Sequence, residues 1–348
     1  MSTTHTLVFT LQLSTPIEKL NVFDIGLNKK RVNADQLYHA VEKNVPNRIK
    51  QLERLLSRHK KRVSFNLAIP GFLLKLLKER HHETFNILKR IVVEHKPEFL
   101  LTTYYNSSLH VLSDQEITRQ LIHEQDLLKE CFNTQASLFF AHEHALSKSL
   151  SQALRKQKIK GIVFANSSTV LPVNYTNTSI PVLDAFNIPD DKPQTQMTVI
   201  SLAQLGNHKT QSLVHELFSQ EKLITCSTIF SSLKSRVMLK AKQNDAEFTP
   251  LEQHLIKELK SLYPHVIMSG DDQLIAHWRL LANTNLIQQA DYKLASQDYN
   301  PYEHYTHFMH LLNDMAHTIY SAEQAKKGSF VDKPTISSSP ASILLRKT

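Results

Sequence analysis

E-F-L-L-T-T-Y-Y-N-S-S-L at 98–109 and S-L-F-F-A-H-E-H-A at 137–145 decide how the rest of the chain is read. Phe99, Leu100 and Leu101 run into Thr102 to Tyr105, the pattern of a short buried strand that ends in polar and aromatic residues. Leu138 to Ala141 repeat it and end in His142, Glu143 and His144. Between them lies a helix-forming stretch, opened by Ser113-Asp114-Gln115-Glu116 and reaching about Phe132. Buried strands joined through a helix predict a parallel β/α layout, in which reactive groups gather at the carboxyl ends of strands. Glu143 stands at such an end and is the first candidate for chemistry.

The same alternation extends both ways. Residues 6–13 read as a strand, 35–58 as a helix, and Val63 to Ile69 as a strand closed by Pro70-Gly71. Residues 72–95 are helical with a break, stopped by Lys96-Pro97. Downstream, a helix through Leu154 leads to a strand at Ile162 to Ala165. Residues 166–196, rich in Asn, Thr, Ser and Pro, read as long loop with only Ile180 to Leu183 strand-like. Met197 to Leu202 reads as a strand, Leu205 to Phe218 as a helix and Leu223 to Cys226 as a last short strand. From Ser231 to Ala325 the pattern is helical only, with breaks near Asn244 to Pro250, Pro264, and Gln297 to Pro301. Trp278 shares an apolar stripe with Leu274, Leu281 and Leu286 and reads as core.

These elements predict an α/β fold: an irregular seven-stranded (β/α) barrel, incomplete and TIM-like, over 1–230. An all-helical C-terminal segment, 231–325, packs on it, and 326–348 form a disordered tail. An open doubly wound sheet is the alternative.

At 348 residues with 41% hydrophobic and 21% charged content, the chain can bury a large core. Its six glycines, with no G-x-G-x-x-G or G-K-[ST] pattern, argue against phosphate-cradling loops. The net charge of +9 is spread over separate clusters, Lys29-Lys30-Arg31, His59 to Arg62, Arg155 to Lys160 and Lys234 to Lys242. They lack interleaved aromatics, so they read as solvated helix ends and no nucleic-acid partner is expected. Cys131 and Cys226, the only two cysteines, are expected as reduced thiols. No signal peptide and no run of about 18 apolar residues is visible, so the cytoplasm is expected and a membrane is not. His81-His82 and His142/His144 lack H-E-x-x-H spacing and a thiolate partner, so neither metal nor cofactor is expected.

Taken together, several stretches resemble the family-57 glycoside hydrolases, the α-amylase and α-glucanotransferase group. They are V-S-F-N-L-A-I-P-G-F-L-L at 63–74, F-L-L-T-T-Y-Y-N-S-S-L at 99–109, F-F-A-H-E-H at 139–144 and I-K-G-I at 159–162. L-G-N-H at 205–208, S-G-D-D-Q-L-I-A-H-W-R-L-L at 269–281 and N-P-Y-E-H-Y-T-H-F-M-H-L-L-N-D at 300–314 continue it. The resemblance implies an incomplete seven-stranded barrel, a following helical bundle, and retaining hydrolysis or transfer of α-glucans. It puts the nucleophile, a Glu ending the fourth strand, at Glu143. The acid/base, an Asp before a Gly-x-His, falls on Ser201 ahead of Gly206-Asn207-His208. The family's early His-Gln-Pro appears as Ser14-Thr15-Pro16, and its Glu before the Tyr pair as Thr103.

Retaining hydrolysis needs two carboxyl groups about 5–5.5 Å apart, and a serine hydroxyl is far too weak an acid to serve as one. The expectation is therefore an amylase-like protein of carbohydrate metabolism with impaired catalysis, acting by binding α-glucan or a protein partner. Tyr104, Tyr105, Asn106, His142 and His208 are its candidate substrate contacts. Two alternatives stay open: an active hydrolase or transferase pairing Glu143 with Asp184, and a structural or interaction protein with a closed cleft. Glu143 itself also reads as a structural carboxylate held between two histidines.

Overall fold

The computed structural model describes residues 4–11, 34–59, 63–141, 148–164, 182–184, 195–219, 223–232, 248–296 and 299–328. Strands β1 (Thr4–Thr10), β2 (Asn66–Ala68), β3 (Glu98–Leu101) and β4 (Leu138–Ala141) are followed by β5 (Gly161–Phe164), β6 (Val182–Asp184) and β7 (Thr195–Ser201). Helices α1 (Ala34–Ser57), α2 (Gly71–Arg80), α3 (His82–His95), α4 (Asp114–Phe132), α5 (Lys148–Lys156) and α6 (His208–Ser219) lie between or after them. Helices α7 (Cys226–Ser232), α8 (Pro250–Ser269), α9 (Asp272–Leu281), α10 (Thr284–Gln288) and α11 (Pro301–Gly328) complete the described chain.

Local chemistry sets the boundaries. Pro70 precedes the first turn of α2, where a missing N–H costs nothing. Helix α3 ends on Lys96 in the left-handed region, and Pro97 forbids continuation. The Ser113 hydroxyl caps α4 by accepting the Glu116 N–H, and left-handed Asn133 ends that helix. A reciprocal Thr249–Glu252 capping box opens α8, and Gly270, at φ +67°, closes it.

The strands form one parallel sheet in the order β6-β5-β4-β3-β2-β1-β7. β1 is flanked by β2 and by β7, the latter in register from Thr4↔Thr195 to Thr10↔Ser201. From β1 to β6 each strand lies beside its predecessor, so right-handed crossovers put the described helices that join them on the same face. That winding excludes the doubly wound alternative and suits a curled sheet; among the described residues β6 and β7 remain its two edges.

The two faces carry different cores. Phe9, Leu67, Leu101, Phe139 and Phe164 join the large helix-covered cluster. Val8, Ala68, Leu100, Phe140, Val163 and Met197 form a smaller inner cluster with Cys226. Alternation along each strand produces the split.

A polar cluster closes the amino end of the inner face. Asn66 Nδ2 donates to Thr6 Oγ1 and the Leu7 carbonyl, while its Oδ1 accepts the Cys226 N–H at 3.0 Å. The Glu98 carboxylate accepts the Ser227 N–H at 2.9 Å. Burial raises the Glu98 pKa despite the hydrogen bonds it receives. Both cysteines are free and buried.

Several expectations need correction. Leu223 makes only a single bridge to His5, and Cys226 begins α7, so 223–226 is not a strand. Its carbonyls and amides are bonded by strand ends and side chains instead of a ladder. Helix α8 runs through Pro264 because Leu255 and Leu259 before it and Val266 after it are all buried; packing overrides the local penalty. α11 extends to Gly328, past the expected start of the tail at 326; residues 329–348 lie outside the described ones. No described helix is long and apolar enough to cross a membrane.

Candidate functional site

At the carboxyl edge of the sheet the inner-face positions are Thr10, Ala68, Leu100, Phe140 and Val163, none a carboxylate. Ser201 ends β7 beside Thr10, and its Oγ accepts the Ala203 N–H at 3.3 Å, capping the following 3-10 turn. His208 is exposed at the start of α6. Asp184 ends β6 in register with Phe164, two strands from β4. His142, Glu143, Ser14, Thr15 and Pro16 lie outside the described residues.

The best-defined part of this edge is the loop after β3. Tyr104 is 7% exposed, and burial followed by the nearby Tyr105 and Glu124 charges pushes its phenol pKa up. Tyr105 stacks on Phe72, with ring centroids 5.6 Å apart, and the Arg279 guanidinium lies 6.0 Å from its ring centre. Both rings expected to stack on sugar are thus engaged with protein groups. Asn106 turns the loop in the left-handed region at φ 54° and is 3% exposed. Its carbonyl accepts the Thr284 N–H at 2.9 Å.

Behind the loop stand three polar side chains of α4 at helical spacing. Buried Glu116 accepts two hydrogen bonds from Arg279, Nε to Oε1 at 2.6 Å and Nη2 to Oε2 at 3.0 Å. Gln120 donates to Glu116 Oε1 and accepts from the Tyr105 N–H and the Ser107 hydroxyl. Glu124 is fully buried; its Oε2 accepts the Gly71 N–H at 2.5 Å and its Oε1 lies 3.4 Å from Thr102 Oγ1. Burial raises the Glu124 pKa well above the usual carboxyl range, against those two hydrogen bonds. From the helical segment, Asn283 Nδ2 donates to the Tyr105 carbonyl at 2.8 Å.

Sequence reasoning missed these groups. Their signal was present: Glu116, Gln120 and Glu124 recur at i, i+4, i+8, interleaved with buried Ile117, Leu121 and Leu128. Polar residues on an inward stripe mark a buried network.

Gly71 sits where this network is tightest. A β-carbon there would lie 2.5 Å from Tyr104 Cδ2 and 2.6 Å from Glu124 Oε2. Gly71→Ala is expected to destabilise by about 1–3 kcal/mol through overpacking, measured by urea unfolding. An unchanged midpoint would mean that the loop yields.

The glycosyl hydrolase family 57 model matches residues 12–184. Among curated proteins none matches the sequence. The fold is similar to the family-57 branching enzyme of Pyrococcus horikoshii, at TM-score 0.62 and 11% identity, covering 93% of this chain and 91% of that one. The Thermococcus kodakaraensis family-57 branching enzyme aligns at TM-score 0.55 and 8% identity, covering 93% and 94%. The 4-α-glucanotransferase of Thermococcus litoralis aligns at TM-score 0.53 and 11% identity over 82% of this chain, which spans 54% of its length. Identities this low speak for the fold alone.

Proposed function

We infer from a chain that belongs, through residues 12–184, to glycosyl hydrolase family 57 that it is a carbohydrate-active protein which binds α-glucan at the carboxyl edge of its sheet. Its hydrolytic chemistry is impaired. One observation carries the second statement: the last residue of β7, where an acid/base aspartate is expected, is Ser201, and its hydroxyl is committed to capping the next turn. A hydroxyl cannot protonate a leaving glycosidic oxygen near neutral pH, and loss of such assistance is worth roughly 10²–10⁴ in rate. Glu143 remains the nucleophile position in this reading, with no acid opposite it.

The division near residue 230 belongs to the same proposal. Helices α8 to α11 act as a second unit whose Arg279, Asn283 and Thr284 brace the β3–α4 loop from outside. The contacts to glucan then come from His142 and His208 and from whatever edge of Tyr105 stays open, while the ring faces and Asn106, 3% exposed, serve the scaffold.

The test measures binding and turnover together. The wild type is expected to bind maltoheptaose by calorimetry while releasing only traces of reducing sugar, and Ser201→Asp is expected to raise that release. Wild-type hydrolysis abolished by either Glu143→Gln or Asp184→Asn would overturn the impairment and favour the active pair Glu143–Asp184. Absence of glucan binding altogether would overturn the binding site and leave the protein-partner role.

A further inference from the structure

The ladder between β3 and β4 stops at Leu101↔Phe139, while β4 runs on to Ala141 beside β5. Among the described residues, the end of β4 therefore has no strand neighbour on its β3 side. The β3–α4 loop and the start of α10 fill that flank incompletely. They leave a cavity of about 10 Å³ lined by Thr103, Asn106, Ser107, Phe140, Ala141 and Thr284.

Asn106 brings an unusual group to it. The residue is 3% exposed, and among the described residues its Nδ2 has no hydrogen-bond partner. Leaving a buried donor unpaired lowers the folded-to-unfolded ratio by roughly 5- to 150-fold, so native structures fill such sites. The loop cannot simply turn the amide out to solvent. Its backbone is pinned on both sides, by Thr284 N–H on the Asn106 carbonyl and by the Ser108 N–H on the Ala282 carbonyl.

We propose that this cavity holds one ordered water molecule, which accepts from Asn106 and joins the β3–α4 loop to the helical segment beside the end of β4. The volume suits a single water, which needs two to four polar partners. Asn106 Nδ2 supplies a donor. The Thr103 hydroxyl, which donates to the Ser107 carbonyl at 3.1 Å, keeps lone pairs free to accept. The hydroxyl of Thr284, a residue that lines the cavity and is 2% exposed, offers a third contact. The site is independent of the glucan reading above.

A high-resolution crystal structure of the full chain, alone and soaked with maltotriose, tests it. Density for one water within hydrogen-bond distance of Asn106 Nδ2 and Thr284 Oγ1, unchanged by the sugar, is the expected result. An empty cavity, a side chain from 142–147 in it, or a sugar oxygen replacing the water would each overturn the proposal. Asn106→Gly keeps the left-handed backbone free of strain while removing the amide. It is expected to lose the ordered density and to lower the folded-to-unfolded ratio about tenfold. Unchanged stability would count against the water's bridging role.

Discussion

Arg279→Ala is expected to cost roughly 3–5 kcal/mol of stability, because it leaves the Glu116 carboxylate buried without its cation. Glu116 is 1% exposed, and both of its oxygens accept from the one guanidinium. The loss spreads beyond the pair. Gln120 donates to the same Glu116 oxygen and holds the Tyr105 N–H and Ser107 hydroxyl, so the β3–α4 loop loosens with it. Tyr105 also loses the cation over its ring. Guanidinium unfolding of the wild type, Arg279→Ala and the pair Glu116→Gln/Arg279→Met separates the causes. Removing both charges should recover much of the deficit, since the penalty belongs to the stranded charge. A double variant as weak as Arg279→Ala would place the cost in lost packing of the arginine stem instead.

The second large effect is a pH dependence centred on Glu124. Glutamates in the unfolded chain titrate near 4.3, whereas burial holds the folded Glu124 well above the ordinary carboxyl value. Between the two values the folded chain keeps a proton that the unfolded chain has released. Stability is therefore full below the unfolded pKa and falls as pH rises, by about 1.4 kcal/mol per unit, until the folded group ionises. Burial raises the Glu98 and Glu252 pKa values as well, which adds to the same slope. Glu124→Gln replaces the protonated carboxyl by a neutral group of the same shape. Its carbonyl can accept the Gly71 N–H and its amide can donate to Thr102 Oγ1. The variant should match the wild type at about pH 4 and exceed it increasingly as pH rises, until the folded Glu124 ionises, in thermal unfolding. Parallel curves would show that Glu124 carries no such penalty.

Much of the fold was legible because strands buried on both faces read as continuous apolar runs, and helices announce their ends. Ser113, Thr249 and the Lys96-Pro97 step sit where the structure starts or stops helices. Trp278 is fully buried, its indole N–H donating to the Leu259 carbonyl at 3.0 Å. Strand order was not legible, since an apolar run on both faces carries no mark of its neighbour. The curled sheet emerges only from the pairings. Residues 223–226 misled because an apolar Leu-Ile pair looks the same whether a ladder or a side-chain network satisfies its backbone. At the candidate site, the strand pattern put Ser201 near a strand end, and it is the last residue of β7. The fate of Tyr104 and Tyr105 was not, because it depends on Phe72 and Arg279, distant in the chain and brought together only by packing.

The place of β1 has a consequence for how the molecule is made. This strand is first in the chain yet lies inside the sheet, and its longer partnership is with β7. On a ribosome β1 emerges long before that partner, whose Thr195 pairs with Thr4. Until then one full side of β1, including buried Leu7, Val8 and Phe9, is an open edge in search of any strand. Assembly is thus committed late and over a long sequence span, which makes for slow folding. Truncations that remove β7 should strand the nascent chain as an aggregating intermediate and not as a smaller stable unit.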